Sequence, residues 1–372
     1  MKNIFILFSL LSMGIVVTDE WVGISSSLQK KPDINVLSSD FENTLIEFKL
    51  PGFNQRSVEV NGKEHIVISF PESAANLDAG FPDLPSISKS LVIPNNGLMK
   101  IEIIDAQYVE YNNILVAPSK GNISREIDPS SINFTFNDVY LNDMYYPEAQ
   151  VDLKEPYILR DFRGQTITFE PFSYNATEKT LRVYEYLKVR VYNSGIDNRN
   201  ILNDRVVDKI DKEFKNIYEK QFLNFSQNTR FDYLEDQGSM LVISFGSFIN
   251  TMSPFVEWKN IKGIPTEIVD VSSIGSSASA IEAYVSDYYN NNNLTFLLLV
   301  GDIAQIPSPS VSGSSSDVSY GCILGNDFYP EVIVGRFSGN NPNHIETQVT
   351  RSIEYERYPQ NGAEWYDNAL GV

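Results

Sequence analysis

Asp327, Tyr329 and Glu331 stand two residues apart, so an extended segment would project Asp327 and Glu331 to one side with peptide carbonyls between them. Hard oxygen donors of this kind suit Ca²⁺, although the 12-residue EF-hand pattern is missing. The same residues also read as an acidic turn whose carboxylates are satisfied by backbone N–H groups. Residue types alone leave both readings open. Asp302 follows Gly301 at the end of an apolar run, the carboxyl end of a strand, where parallel α/β sheets place ligands.

Cys322 and His344 are the other pair with chemical capacity. A thiolate nucleophile needs a base or an electropositive neighbour to lower its pKa. His344, however, falls in the first turn of a helix opened by Asn341-Pro342, where the positive end of the dipole disfavours its protonated form. The pair reads as a semi-buried thiol and a surface imidazole. With Cys322 the only cysteine, there is no internal disulfide and no Cys-rich zinc site. His65 and His344 leave little material for transition-metal chemistry.

The elements that position these groups follow from hydrophobic periodicity. The chain has 372 residues, long enough for two ordinary cores, and 42% of them are hydrophobic, enough to offset the entropy of folding. Acidic residues outnumber basic ones 48 to 29, a field that repels phosphate backbones, so nucleic acid is not an expected partner while bound cations are plausible. Lys2 precedes an apolar run that ends at Val17, the pattern of an export signal over residues 1–18, and no other stretch is long and apolar enough for a transmembrane span. The product is expected to be secreted or held at the cell surface.

Residues 19–192 show short alternating runs between Gly, Pro, Asn and Asp, the period of half-buried strands. The clearest is a hairpin of residues 166–172 and 180–192, with Leu181, Val183, Leu187, Val189 and Val191 on one face. An antiparallel all-β sandwich is expected. Residues 193–237 read as a helical tail, with Ile210, Phe214 and Ile217 at helical spacing, leading into a polar exposed linker from Asn224 to Gln237. From residue 238 to 372 the pattern is βαβαβ: a strand at 240–245, a helix capped by Ser253-Pro254, a strand at 266–271, a helix with Ile281, Val285 and Tyr288 as its stripe, a strand at 294–300 apolar on both faces, a strand at 332–337, and a helix with Ile345, Val349 and Ile353.

The segments LTFLLLVGDIAQIP (294–307), SDVSYGCILGNDFYPEVIVGRFS (316–338) and SIEYER (352–357), with FVEWKNIKGIPTEIVDV (255–271) upstream in register, resemble the gingipain family of cysteine peptidases. GFPDLPSISKSLVIP (80–94) is similar to the pro-domain signature of those precursors. The resemblance implies a β-rich pro-domain followed by the N-terminal part of a caspase-like α/β catalytic domain that stops before the family's catalytic His and Cys. It implies structural calcium held by the carbonyls of Leu324 and Tyr329 and the carboxylates of Asp327 and Glu331, with Asp302 at a second ion. It also implies a processing site at Arg230-Phe231 in the linker, protein or peptide substrates for the full-length enzyme, and contact between pro-domain and catalytic domain. A cell-surface sortase of the same family and a non-catalytic surface adhesin are the alternatives.

Overall fold

A computed structural model describes residues 19–40, 42–202, 209–228 and 234–363. The expected export signal and the expected processing site at Arg230-Phe231 lie outside the described residues. The chain divides into two compact units: Met1–Lys89, Met99–Lys154 and Thr166–Asn193 form the first, and Ser90–Leu98, Glu155–Gln165 and Ser194–Val372 form the second.

The β-rich part contains Glu20–Gly23 (β1), Asp33–Ser39 (β2), Asn43–Lys49 (β3), Gly52–Val60 (β4), Lys63–Ser69 (β5), Ile87–Val92 (β6), Gly97–Tyr111 (β7), Val151–Leu159 (β8), Phe162–Phe169 (β9), Phe172–Asn175 (β10) and Thr180–Ile196 (β11). The sheets run β1-β4-β5, β10-β11-β3-β2 with β7 on β11, and β6-β9-β8. The apolar alternation of β11 is what seats it: Leu181, Val183, Leu187, Val189 and Val191 are buried. In the first unit, Phe48 of β3 stacks on Phe169 of β9 at 5.0 Å, and Phe53 of β4 meets Phe172 of β10 edge-on at 5.4 Å. These aromatic contacts join the inner faces of different sheets, as a sandwich core requires.

The hairpin differs from the one expected. β11 turns back on the short β10, Phe172 facing Val183, whereas residues 162–169 belong to a different sheet. Pro171 is the cause: it has no N–H to give to a ladder, and it separates β9 from β10.

The second unit carries Lys209–Asp211 (β12), helix Lys212–Gln221 (α1), the short turn Phe225–Asn228 (α2) and Leu234–Asp236 (β13), which pairs parallel to β12. Then come Ser239–Ser244 (β14), Ile249–Ile261 (α3), Thr266–Asp270 (β15), the turn Val271–Ile274 (α4), Ala278–Asn292 (α5), Leu294–Val300 (β16), the small hairpin Ser310–Val311 (β17) and Ser314–Ser315 (β18), Ile333–Phe337 (β19) and Pro342–Arg357 (α6). The four-stranded sheet is parallel in order β15-β14-β16-β19. β16 is buried on both faces as expected: Leu297 and Leu299 pack with Ile281 and Val285 of α5, and Leu298 and Val300 pack with Met252 of α3 and Val349 of α6. Asn341 caps α6 by accepting from the His344 N–H, with Pro342 in the first turn.

Three local expectations change. Ile210 is a strand residue, because Asp211 accepts from the N–H groups of Glu213 and Phe214 and so starts α1 after it. Ser253 and Pro254 lie within α3, which begins at Ile249 directly from the turn Gly246–Phe248, and Pro254 is tolerated on its exposed side. Asn224, read as exposed linker, is fully buried: its amide accepts from the Val92 N–H and donates to the Val92 carbonyl.

α3 and α6 are tied by Glu356. It accepts from Lys259 Nζ at 2.5 Å, Lys262 Nζ at 2.8 Å and Trp258 Nε1 at 2.9 Å. Burial pushes its carboxyl up, but these three donors outweigh burial and hold it at about 2. Such a depressed value contributes stability above the ordinary 4.5, and that contribution is lost as pH falls through about 2. Glu356→Gln should therefore lower the stability of the second unit by about 1 kcal/mol at neutral pH, after allowance for the solvent that reaches the carboxylate. The difference in urea midpoint between the two proteins should shrink steadily below pH 4.5; a constant difference would mean the lysines do not hold the charge.

Candidate functional site: an acidic turn around a buried arginine

The turn before β19 folds around its own two carboxylates. Glu331 is fully buried, and its Oε2 accepts from the N–H groups of Ile323 at 2.7 Å and Leu324 at 2.9 Å. Asp327 accepts from Tyr329 N–H at Oδ1 and from Ile158 N–H at Oδ2, each at 2.9 Å. Burial pushes Glu331 up to about 7, and the nearby charge of Asp327 adds to it. Asp327 is likewise raised by burial. Among the described residues no lysine or arginine forms an ion pair with either carboxylate, and the carbonyls of Leu324 and Tyr329 accept no protein hydrogen bond. The structure thus brings Leu324, Asp327, Tyr329 and Glu331 into one turn. It holds two carboxylates and two open carbonyls, and among the described residues no cluster of three or more His, Cys, Asp or Glu side chains is placed to hold a metal ion.

Residues from far upstream line this turn. Tyr157 of β8 stacks on Tyr329 with ring centres 3.6 Å apart. Leu159 and Phe162 bound the two-residue turn Arg160-Asp161, in which Arg160 adopts φ +49°, a left-handed conformation suited to a tight hairpin. Arg160 is 1% exposed. Its Nη1 donates to the Leu294 carbonyl at 2.6 Å and the Glu331 carbonyl at 2.9 Å, and its Nη2 donates to Asn293 Oδ1 at 2.9 Å. The guanidinium also lies over Phe214 at 4.7 Å and Tyr289 at 5.4 Å. Its backbone N–H reaches Glu331 Oε1 at 3.3 Å. Beside it, Asp161 accepts from the Tyr218 hydroxyl at 2.8 Å.

The other residues singled out in the sequence lie elsewhere. Asp302 sits past the far end of β16 from Leu294, separated from the acidic turn by the strand's length, about 23 Å at about 3.3 Å per residue. Its carboxylate accepts from Ile303 N–H at 2.8 Å and Ser338 Oγ at 3.4 Å. Cys322 is half-buried with Sγ 3.7 Å from the Val318 carbonyl, and burial together with Glu331 and Asp327 pushes its thiol up to about 11, the reverse of what a nucleophile needs. His344 is exposed and pairs with Asn341. Arg160 is the functional residue that periodicity missed. Its only signal was a charged pair, Arg160-Asp161, between two strand-like runs.

Residues 25–225 match the family Propeptide_C25, and residues 233–372 match Peptidase family C25. Gingipain R2 of Porphyromonas gingivalis is 34% identical over 349 residues, covering 92% of this chain and 47% of that protein. Gingipain R1 of the same organism is 34% identical over 354 residues, covering 93% of this chain and 35% of that protein. A solved complex of the P. gingivalis RgpB pro- and mature domains aligns at 30% identity with a TM-score of 0.49, covering 53% of this chain and all of the matched chain. The chain belongs to the family described by Propeptide_C25, which covers more than half of it, and its C-terminal part matches Peptidase family C25. It spans less than half the length of these two curated relatives.

Removing the Arg160 side chain would leave the buried Leu294 and Glu331 carbonyls, and the part-buried Asn293 Oδ1, without this donor. Arg160→Ala should cost about 3–5 kcal/mol, and Arg160→Lys, which keeps the charge but loses the planar fork, should fall between it and the parent. Hydrogen–deuterium exchange at Leu294–Val300 should accelerate in that order. Unchanged protection of this strand in Arg160→Ala would show that the guanidinium does not hold it.

Proposed function

We propose that the complete protein is a secreted, calcium-stabilised cysteine endopeptidase made as a latent precursor, with residues 1–18 as its export signal and cleavage at Arg230-Phe231 separating pro-segment from enzyme. The single observation that supports latency best is Arg160, a side chain of the propeptide match buried against Leu294 and Glu331 of the peptidase match. A propeptide so bonded cannot leave without exposing those acceptors. No helix among the described residues is long and apolar enough to cross a membrane. No feature favours the sortase or adhesin alternatives.

Among the described residues the lone thiol, Cys322, has no activating base, and its environment pushes its pKa up, so it is not assigned as the nucleophile in this reading. The 372-residue chain should show no turnover of Arg- or Lys-peptidyl substrates with calcium and reductant present. Turnover abolished by Cys322→Ala would overturn this assignment. The complete precursor should be silent until it is cut after Arg230, and Arg230→Ala should keep it silent. Equal activity before and after cutting would remove latency from the reading.

Calcium would be held by the carboxylates of Asp327 and Glu331 and the carbonyls of Leu324 and Tyr329, with Asp302 available to a second ion at the other end of β16. What supports the first site is the donor chemistry: a buried and a half-buried carboxylate with no ion-paired lysine or arginine among the described residues, beside two open carbonyls. Bound Ca²⁺ would neutralise the turn and stabilise the native state by about 2.7 kcal/mol at one hundred times its dissociation constant. The melting temperature should rise with millimolar Ca²⁺ and fall with chelator. Asp327→Asn with Glu331→Gln, which keeps acceptors for the N–H donors, should abolish that response. A folded protein whose melting ignores Ca²⁺ would leave the turn as a backbone-satisfied one.

A further inference from the structure

The first unit contains a cavity of about 590 Å³ that the peptidase reading does not use. That volume lies in the range of sites that enclose small organic ligands. Its walls are apolar and aromatic, including Val60, Val116, Phe136, Tyr140, Leu141 and Tyr174. Phe136 and Leu141 remain exposed, at 41% and 77%.

Polar groups share the lining of the cavity with the apolar ones, among them His65, Lys63, Lys179 and Asp138. His65, which lines it, is 7% exposed and packs against the Phe136 ring at 6.0 Å. Its Nδ1 lies 3.0 Å from the Lys63 carbonyl. A carbonyl only accepts, so Nδ1 carries a proton, and the tautomer with that proton presents Nε2 as an acceptor. Among the described residues Nε2 has no protein partner. Tyr140 and Tyr174 donate their hydroxyl protons to the Val116 and Ile114 carbonyls, so toward the cavity they and His65 Nε2 offer acceptors rather than donors. Lys63 and Lys179 are exposed lining residues, and among the described residues neither ammonium has a carboxylate partner. They stand against a single lining carboxylate, Asp138. In a chain of net charge −19, this is a locally positive opening onto an apolar interior.

We propose that this cavity binds the C-terminal end of an apolar peptide, with the terminal carboxylate at Lys63 and Lys179, an amide N–H on His65 Nε2, and the last side chain among Val116, Phe136 and Tyr174. The three parts of such a ligand, an anion, a donor and an apolar body, answer the three kinds of group present. A free fatty carboxylate shares the anion and the apolar body but offers no N–H to His65. A peptide amide keeps the N–H and loses the anion.

Calorimetric titration of the full 372-residue chain with acetyl-Ala-Ala-Leu-Phe, its C-terminal amide and decanoate separates these cases. The free-acid peptide should bind at a single site. Amidation, the double change Lys63→Ala with Lys179→Ala, and His65→Phe should each weaken it by about tenfold or more, the loss expected when a charge-assisted or buried hydrogen bond is removed. Ala176→Trp, which fills the cavity from its lining, should abolish binding. The lysines are exposed, so the double variant should melt with the parent; if it does not, the acid and amide comparison on unaltered protein decides. Absence of binding, equal binding of acid and amide, or decanoate binding more tightly than the peptide would each overturn the proposal.

Discussion

A guanidinium taken wholly out of water is the constraint around which the second unit is arranged. Arg160 forms an ion pair with the buried Asp161 at 3.9 Å, and its guanidinium donates to the Leu294 and Glu331 carbonyls and the Asn293 amide oxygen. Dipoles and the faces of Phe214 and Tyr289 add to the negative potential. Desolvating a cation is tolerable only if every donor is met, so each of these partners must hold its position. That requirement reaches from the first residue of β16 to the last residue of the acidic turn, and through Phe214 to α1.

The acidic turn shows the complementary problem. Asp327 and Glu331 occupy N–H donors from Ile158, Arg160, Ile323, Leu324 and Tyr329, five backbone groups from two distant stretches of chain. Those bonds favour the ionised carboxylates, while burial and their mutual repulsion oppose ionisation, and burial wins in both. Both descriptions open at the sequence level, an N–H-satisfied turn and an oxygen-rich cation site, therefore share one geometry.

The parallel sheet was legible because its signals are local: an uninterrupted apolar run for β16, an Asn-Pro cap for α6, spacing of four for Ile345 and Val349. What periodicity could not carry was any feature decided by a single polar residue acting at a distance. Asn224 looks like linker and is buried because its amide meets both backbone groups of Val92, 132 residues away. Asp211 moves the start of α1, and Pro171 redirects a strand into another sheet. The site divides in the same way. Family resemblance brought Leu324, Asp327, Tyr329 and Glu331 together, whereas Arg160, whose partners lie 133 to 171 residues later, left almost no local trace.

The second unit is discontinuous, and its discontinuity has a kinetic meaning. Its body cannot be completed from residues 194–372 alone, because Ser90–Leu98 and Glu155–Gln165 are parts of it. Closing so long a loop adds little to the equilibrium cost, since chain-closure entropy grows only with the logarithm of length. Contacts of such high sequence separation are nonetheless slow to form. On the ribosome the hairpin bearing Arg160 emerges well before Leu294 and Glu331, so the order of synthesis supplies the guanidinium before the oxygens that need it. A chain begun downstream of residue 165 would present those oxygens with nothing to receive.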